Sequence, residues 1–263
     1  MHILEAILLG VLQGLTEFLP VSSSGHIELG KYLFGIELKD DLLFSLFLHL
    51  ATVLSTIIVF RKDILSIIKE LFQFKFNEAT RFVTYILISM LPVFIVGIFF
   101  KDAVESFYNG NIAFVGAMLI ITGLLLLASE KIKAKTRNLN APSAFIIGIA
   151  QAIAVLPGIS RSGATIATGL ISGVDRSAIA RFSFLMVIPP IIGASILDVG
   201  NISSNQYNST DILNMGAGFI AAFLTGLFAC KLMIRLVKNS KLIYFAIYCF
   251  LVGSICLISR LIF

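Results

Sequence analysis

Six stretches of this chain are apolar for about the thickness of a bilayer, and that leaves few folds open to it. They lie at 42–60, 82–100, 112–129, 182–197, 213–230 and 243–262. A helix needs about 20 apolar residues to cross the hydrocarbon, and each stretch is close to that length. Hydrophobic residues make up 58% of the chain and charged residues 13%, against about 45–50% and about 25% in a soluble domain. A soluble fold with a large core does not suit those proportions. No run of about ten residues alternates apolar with polar, so an outer-membrane type of barrel is not the reading either. The chain is expected to be an all-α polytopic membrane protein with six transmembrane helices.

Two further apolar stretches, 3–19 and 143–156, behave differently. Each stops at a Pro-containing polar turn and resumes as a mildly apolar helix, over 25–35 and 163–173. Pro20 and Pro157 interrupt the helical ladder, and Gly25 and Gly163 permit close backbone approach. Irregular backbone at membrane depth is tolerated only against protein or a cavity, so each pair reads as a re-entrant helical hairpin. The two turns carry one polar sequence twice: QGLTEFLPVSSSGH from Gln13 and QAIAVLPGISRSGA from Gln151. At an offset of 138 residues Gln13 meets Gln151, Ser22 meets Ser160, Ser24 meets Ser162, Gly25 meets Gly163, and Ser23 falls opposite Arg161. Further on, Phe44–Ser45 meets Phe182–Ser183. This predicts one membrane domain, 1–263, built from two repeats of about 1–138 and 139–263.

Charge sets the expected orientation. Fifteen of the 20 Lys and Arg residues lie in 61–81, 131–137, 231–241 or at Arg176 and Arg181, whereas 101–111 and 198–212 hold only Lys101. The positive-inside rule makes the first group cytoplasmic. Three spans per half is an odd number, so the second repeat begins on the opposite side from the first. Inverted topology follows, with the hairpins entering from opposite faces and their polar tips able to meet near the midplane. The termini and the first hairpin then face outside. The net charge of +5 is explained by this asymmetry and does not call for nucleic acid. Trp is absent, leaving Tyr and Phe for any aromatic belt. Cys230, Cys249 and Cys256 sit in apolar helices and read as packing residues, without disulfide or metal spacing. The N-terminus has no basic residue before its apolar run, carries Glu5 and shows no cleavage pattern, so it is expected in the mature protein.

Polar groups inside such a chain are expensive and point to a site. Gln13 and Glu17 form an i, i+4 pair on one helix face. Ser22, Ser23 and Ser24 precede a new helix with Gly25, an arrangement that suits an anion. His26 follows Ser23 by three residues, a nucleophile-and-base spacing. Arg161 is the one Lys or Arg expected at membrane depth, with Ser160, Ser162 and Thr165 around it, and its guanidinium fits phosphate oxygens bidentately. Plainer readings stand beside these: Glu17 pairing structurally with Arg161, one serine acting as a helix cap, and a hydrogen-bonded His26. His49 has no such neighbours in sequence and reads as structural. An arginine, serine-rich turns and one acid suit phosphate or pyrophosphate better than an amino acid or a sugar.

At these residues the chain resembles the bacterial undecaprenyl-diphosphatase, or bacitracin-resistance protein, family. TEFLPVSSSGH (Thr16–His26) is similar to that family's first motif and PGISRSGAT (Pro157–Thr165) to its second. The first motif has Glu or Gln followed four residues later by Glu. Here the pair is Gln13 and Glu17, leaving Glu17 as its sole acid. The resemblance implies hydrolysis of undecaprenyl diphosphate to undecaprenyl phosphate and inorganic phosphate, recycling a cell-wall lipid carrier. It implies a bacterial plasma-membrane enzyme that uses a divalent cation, Mg2+ or Ca2+, with Glu17 as its legible ligand, and the charge asymmetry above turns its active site outward. The partners are the lipid and the bilayer, with no nucleic acid and with room for a homo-oligomer. On this reading Ser23, His26, Glu17 and Arg161 are catalytic, and Gln13, Ser22, Ser24, Ser160, Ser162 and Thr165 join Arg161 around phosphate. Attack by Ser23, by His26 or by water all remain open. The competing expectation is a carrier that moves undecaprenyl phosphate or a small anion without hydrolysis.

Overall fold

The structure is a computed structural model that describes residues 1–36, 38, 41–108, 110–132, 137–199, 208–239 and 241–262. Its described residues form helices α1 (Ile3–Phe18), α2 (Ser23–Phe34), α3 (Asp41–Val59), α4 (Arg61–Leu71), α5 (Glu78–Phe99), α6 (Lys101–Glu105) and α7 (Ile112–Lys131). They continue with α8 (Ala141–Ile153), α9 (Arg161–Ile171), α10 (Arg176–Leu185), α11 (Ile188–Val199), α12 (Ser209–Lys238) and α13 (Ile243–Ile262). No strand is present among them, and one isolated bridge pairs Arg137 with Val174. The chain is therefore all-helical, as its apolar runs predict.

Local chemistry explains where the helices start and stop. α1 ends at Leu19, which is extended at ψ 142°, the conformation that Pro20 imposes on the residue before it. α2 is capped by the Ser22 hydroxyl, which accepts from Gly25 N, and closes on Gly35 in the left-handed region. Asn140 caps α8 in a box with Ser143, and Pro142 occupies its first turn. Ser160 caps α9 by accepting from Gly163 N. The two Ser-x-x-Gly caps are the repeated sequence expressed twice as structure.

Among the described residues, four helical stretches are long and apolar enough to cross a membrane: α5, α7, α10 continuing into α11 (Arg176–Ile196), and α12. A fifth is reached if α3 is joined to α4, which turns away from it by 75°. This is fewer than the six expected. The expected span 42–60 is α3, which ends at Val59 before the turn into α4, and α13 occupies the expected 243–262, apolar over Ile243–Ser259. The expected span 182–197 begins earlier, at Arg176, and is interrupted between Leu185 and Ile188. Pro189 and Pro190 lie just past that break and lack the N–H groups that would bond back across it. Lys133, Lys135 and most of the loop 198–212 lie outside the described residues.

Packing relies on small residues where backbones touch. α1 lies along α12 and α13 along α7. On α1, Gly10 and Gly14 face Gly218, Ala222 and Gly226 of α12, the small-xxx-small pattern that lets membrane helices approach closely. A side chain at Gly14 would run into Ala222 O and the Thr225 hydroxyl. Gly14→Val is expected to destabilise the protein by about 1–3 kcal/mol, read as a lower melting temperature in detergent. An unchanged melting temperature would mean that α1 and α12 are not so close. Cys230, Cys249 and Cys256 are buried and unpaired, in keeping with packing roles.

Candidate active site

The two Pro-containing turns meet. A Cβ at Gly25 would sit 3.1 Å from Gly158 Cα, and one at Gly163 would sit 3.2 Å from Pro20 Cβ. Ser162 Oγ donates across the junction to Leu19 O at 3.2 Å. Each turn is also anchored from behind. Thr122 of α7 donates to Gly158 O at 3.2 Å and accepts from Ser160 N at 3.0 Å, and Cys249 of α13 reaches Pro20 O at 3.6 Å. The repeat governs internal detail as well: Ser22 Oγ lies 3.3 Å from Ser24 Oγ, and Ser160 Oγ lies 3.2 Å from Ser162 Oγ.

Ser23 is the first residue of α2 and Arg161 the first of α9. Two helix N-termini therefore converge, each with a positive dipole end that favours an anion. Between them stands Glu17. Its Oε1 pairs with Arg161 Nη2. Its Oε2 accepts from Ser23 Oγ at 2.7 Å and from Gln13 Nε2 at 3.0 Å. Arg161 also donates from Nη1 to Ser183 O at 3.2 Å, which fixes the guanidinium plane. Glu17 is 8% exposed, so this pairing is what makes a carboxylate tolerable there. Ser22 adopts φ 70°, a backbone state rarely taken by a residue with a side chain and typical of functional turns.

A cavity of about 620 Å³ opens over this cluster, lined by Glu17, Ser23, Ser24, Ser160 and Arg161. Apolar parts of its wall come from α5, through Val93 and Val96, and from α11, through Pro190 and Ile191. A polar floor under apolar walls of this size suits a charged headgroup carrying a hydrocarbon chain. Four further candidates for phosphate contact stand outside the cavity wall. Gln13 is tied to Glu17, Ser22 and Ser162 to the turns, and Thr165 Oγ1 lies 2.7 Å from Ser183 Oγ.

His26 does not reach Ser23. Its Nδ1 donates to Ser22 O at 2.8 Å, so its Nε2 accepts from Tyr248 OH at 2.7 Å when the ring is neutral. The ring also stacks on Tyr248 at 5.6 Å. Ser23 has Glu17 as its partner instead. His49, read from sequence as structural, lies on the cavity wall with Nε2 3.6 Å from Glu17 Oε2 and Nδ1 2.8 Å from Ser45 O. Its sequence signal was that of any ionisable side chain within an apolar run, and the Ser45–His49 spacing of four residues.

No group of three or more His, Cys, Asp and Glu side chains converges among the described residues. A protein cage for a metal is therefore not built here. The donors do fit a cation shared with substrate, since Glu17 lines the cavity and Mg2+ is commonly held by one or two carboxylates plus phosphate oxygens.

An all-helical membrane protein that buries a carboxylate and joins it to a half-buried serine and arginine where a duplicated turn meets belongs to the class that handles anionic groups within the membrane. Within that class, the chain belongs to the bacitracin resistance protein BacA family, whose profile matches residues 6–255. It is 54% identical to an undecaprenyl-diphosphatase of Christiangramia forsetii, with 96% of each chain covered. It is 52% identical to one of Bacteroides fragilis, with 97% of each covered, and 40% identical over the full length of both to one of Halothermothrix orenii.

Proposed function

We propose that this chain hydrolyses undecaprenyl diphosphate to undecaprenyl phosphate and inorganic phosphate. The observation that carries this is the Ser23–Glu17–Arg161 cluster on the floor of a cavity with apolar walls, in a chain whose near-full-length relatives bear that enzyme's name. The lipid lies along the apolar wall and the diphosphate over the two helix N-termini. Arg161 exchanges Glu17 for the terminal phosphate, which frees Glu17 to accept the Ser23 proton at 2.7 Å. Ser23 Oγ attacks the terminal phosphorus, the bond to the bridging oxygen breaks, and undecaprenyl phosphate leaves. Glu17 gives that proton to the departing oxygen, takes the proton of an attacking water, and returns it to Ser23 Oγ as inorganic phosphate leaves. Arg161, with Ser160 beside it, offsets the charge that builds on the equatorial oxygens. Gln13, Ser22, Ser24, Ser162 and Thr165 hold the turns in register, and His26 steadies the strained carbonyl of Ser22. A Mg2+ or Ca2+ ion held by Glu17 and the diphosphate would neutralise phosphate charge when bound.

Purified protein in detergent, given undecaprenyl diphosphate with Mg2+ or Ca2+, is expected to release inorganic phosphate. No release from folded protein with either cation would favour a carrier that moves the lipid phosphate or a small anion.

The fuller architecture belongs to the same proposal: six spans and two re-entrant hairpins, arranged as inverted repeats 1–138 and 139–263 in the bacterial plasma membrane, with termini and site facing outward. The behaviour of α4 supports the cytoplasmic assignment of 61–81. It leaves α3 at 75°, exposes Leu65 and Ile68 and carries Arg61, Lys62 and Lys69, as a helix lying along an anionic membrane surface does. In intact cells or right-side-out vesicles, a membrane-impermeant thiol reagent is expected to label Asn208→Cys but not Lys69→Cys. The reverse pattern would invert the orientation.

A further inference from the structure

Gln151 is a polar side chain that the mechanism leaves idle. It is 4% exposed and lines the cavity beside Ser160 and Arg161. Neither its Oε1 nor its Nε2 has a hydrogen-bond partner among the described residues. Its repeat mate Gln13 uses its Nε2 on Glu17, one helical turn further along. The position equivalent to Glu17 in the second repeat is Val155. The second copy therefore has the amide without the acid that would engage it. Buried amides are nearly always hydrogen-bonded, and an unpaired one is destabilising. Gln151 lines the cavity, and a guest that enters there completes its amide. The neighbours define the chemistry of that guest: a guanidinium, a serine-capped helix N-terminus and hydroxyls all favour an anion. A primary amide adds a donor to such a site without adding charge, and its carbonyl takes a proton-bearing oxygen alongside.

We propose that Gln151 binds the diphosphate headgroup of the lipid substrate. Its Nε2 donates to a non-bridging phosphoryl oxygen and its Oε1 accepts from a water or a protonated phosphoryl oxygen next to it. The inference rests on the substrate class proposed above. It assigns Gln151 to affinity and positioning, with no part in making or breaking the phosphorus–oxygen bond.

The test uses wild type, Gln151→Met, which keeps shape without hydrogen bonding, and Gln151→Glu, which adds negative charge. Titration calorimetry in detergent measures binding of farnesyl methylenediphosphonate, whose carbon bridge resists hydrolysis. Melting temperatures are taken on the same preparations, and phosphate release from undecaprenyl diphosphate is measured separately. Gln151→Met is expected to bind the analogue about tenfold more weakly, with a melting temperature unchanged or raised, because no protein hydrogen bond is lost. Gln151→Glu is expected to bind more weakly still. Affinity in Gln151→Met within twofold of wild type would overturn the assignment, as would failure of wild type to bind the analogue. A large fall in melting temperature with affinity retained would make Gln151 structural and overturn it equally. Analogue binding by wild type without phosphate release would remove the phosphatase reading and leave the headgroup contact standing.

Discussion

Ser23→Ala is expected to lower phosphate release from undecaprenyl diphosphate by at least about 1000-fold, on the scale seen when a nucleophile is removed from a catalytic unit. The expectation follows from geometry. Ser23 heads α2, points its hydroxyl at Glu17 Oε2 at 2.7 Å and lines the cavity. No other hydroxyl is hydrogen-bonded to that carboxylate among the described residues. Alanine removes the attacking oxygen and keeps the helix start, while Glu17 retains Arg161 and Gln13. The loss in stability should stay at about 1–2 kcal/mol, so thermal melting separates a dead enzyme from an unfolded one. More than a tenth of wild-type activity in the folded variant would take the attack away from Ser23.

Arg161→Lys is the second large effect, with an expected loss of about 100–1000-fold in kcat/KM. Lysine keeps the positive charge, so the buried Glu17 is not left alone. It gives up the planar fork that serves Ser183 O and Glu17 together and that grips two phosphate oxygens at once. Arg161→Ala is a poorer probe, because stranding a buried carboxylate costs about 3–5 kcal/mol of stability. Activity of Arg161→Lys close to wild type, with an unchanged melting temperature, would remove the clamp from the mechanism.

Much of this architecture can be read from the chain because its determinants are local. Pro20 and Pro157 announce the breaks, Ser22 and Ser160 the caps, and the apolar runs the four clear spans. The repeat sets Ser23 opposite Arg161 in the turns before helices expected at 25–35 and 163–173, and the structure starts both helices two residues earlier, with Ser23 and Arg161 as their first residues. What was not legible depends on contacts across the fold. His49 meets Glu17 from another helix, and its repeat mate is Val187, so no internal symmetry marks it. Tyr248 lies 222 residues from His26, and this distant hydroxyl is what turns the imidazole away from Ser23. The idle amide of Gln151 cannot be inferred from spacing, since Gln13 has the same motif position and is paired. The 75° turn after α3 falls where the expected span 42–60 meets Arg61, but the direction that α4 takes from there carries no signal in the sequence.

A single-turnover experiment tests the central claim most directly. Enzyme in excess over undecaprenyl diphosphate is quenched in acid at intervals, undecaprenyl phosphate and inorganic phosphate are followed together, and the peptide bearing Ser23 is examined by mass spectrometry. The account predicts that lipid monophosphate appears ahead of inorganic phosphate, with the difference held as phosphoserine at Ser23, and that Ser23→Ala forms neither product. The two products rising in step, with Ser23 unmodified and Ser23→Ala still turning over, would contradict it.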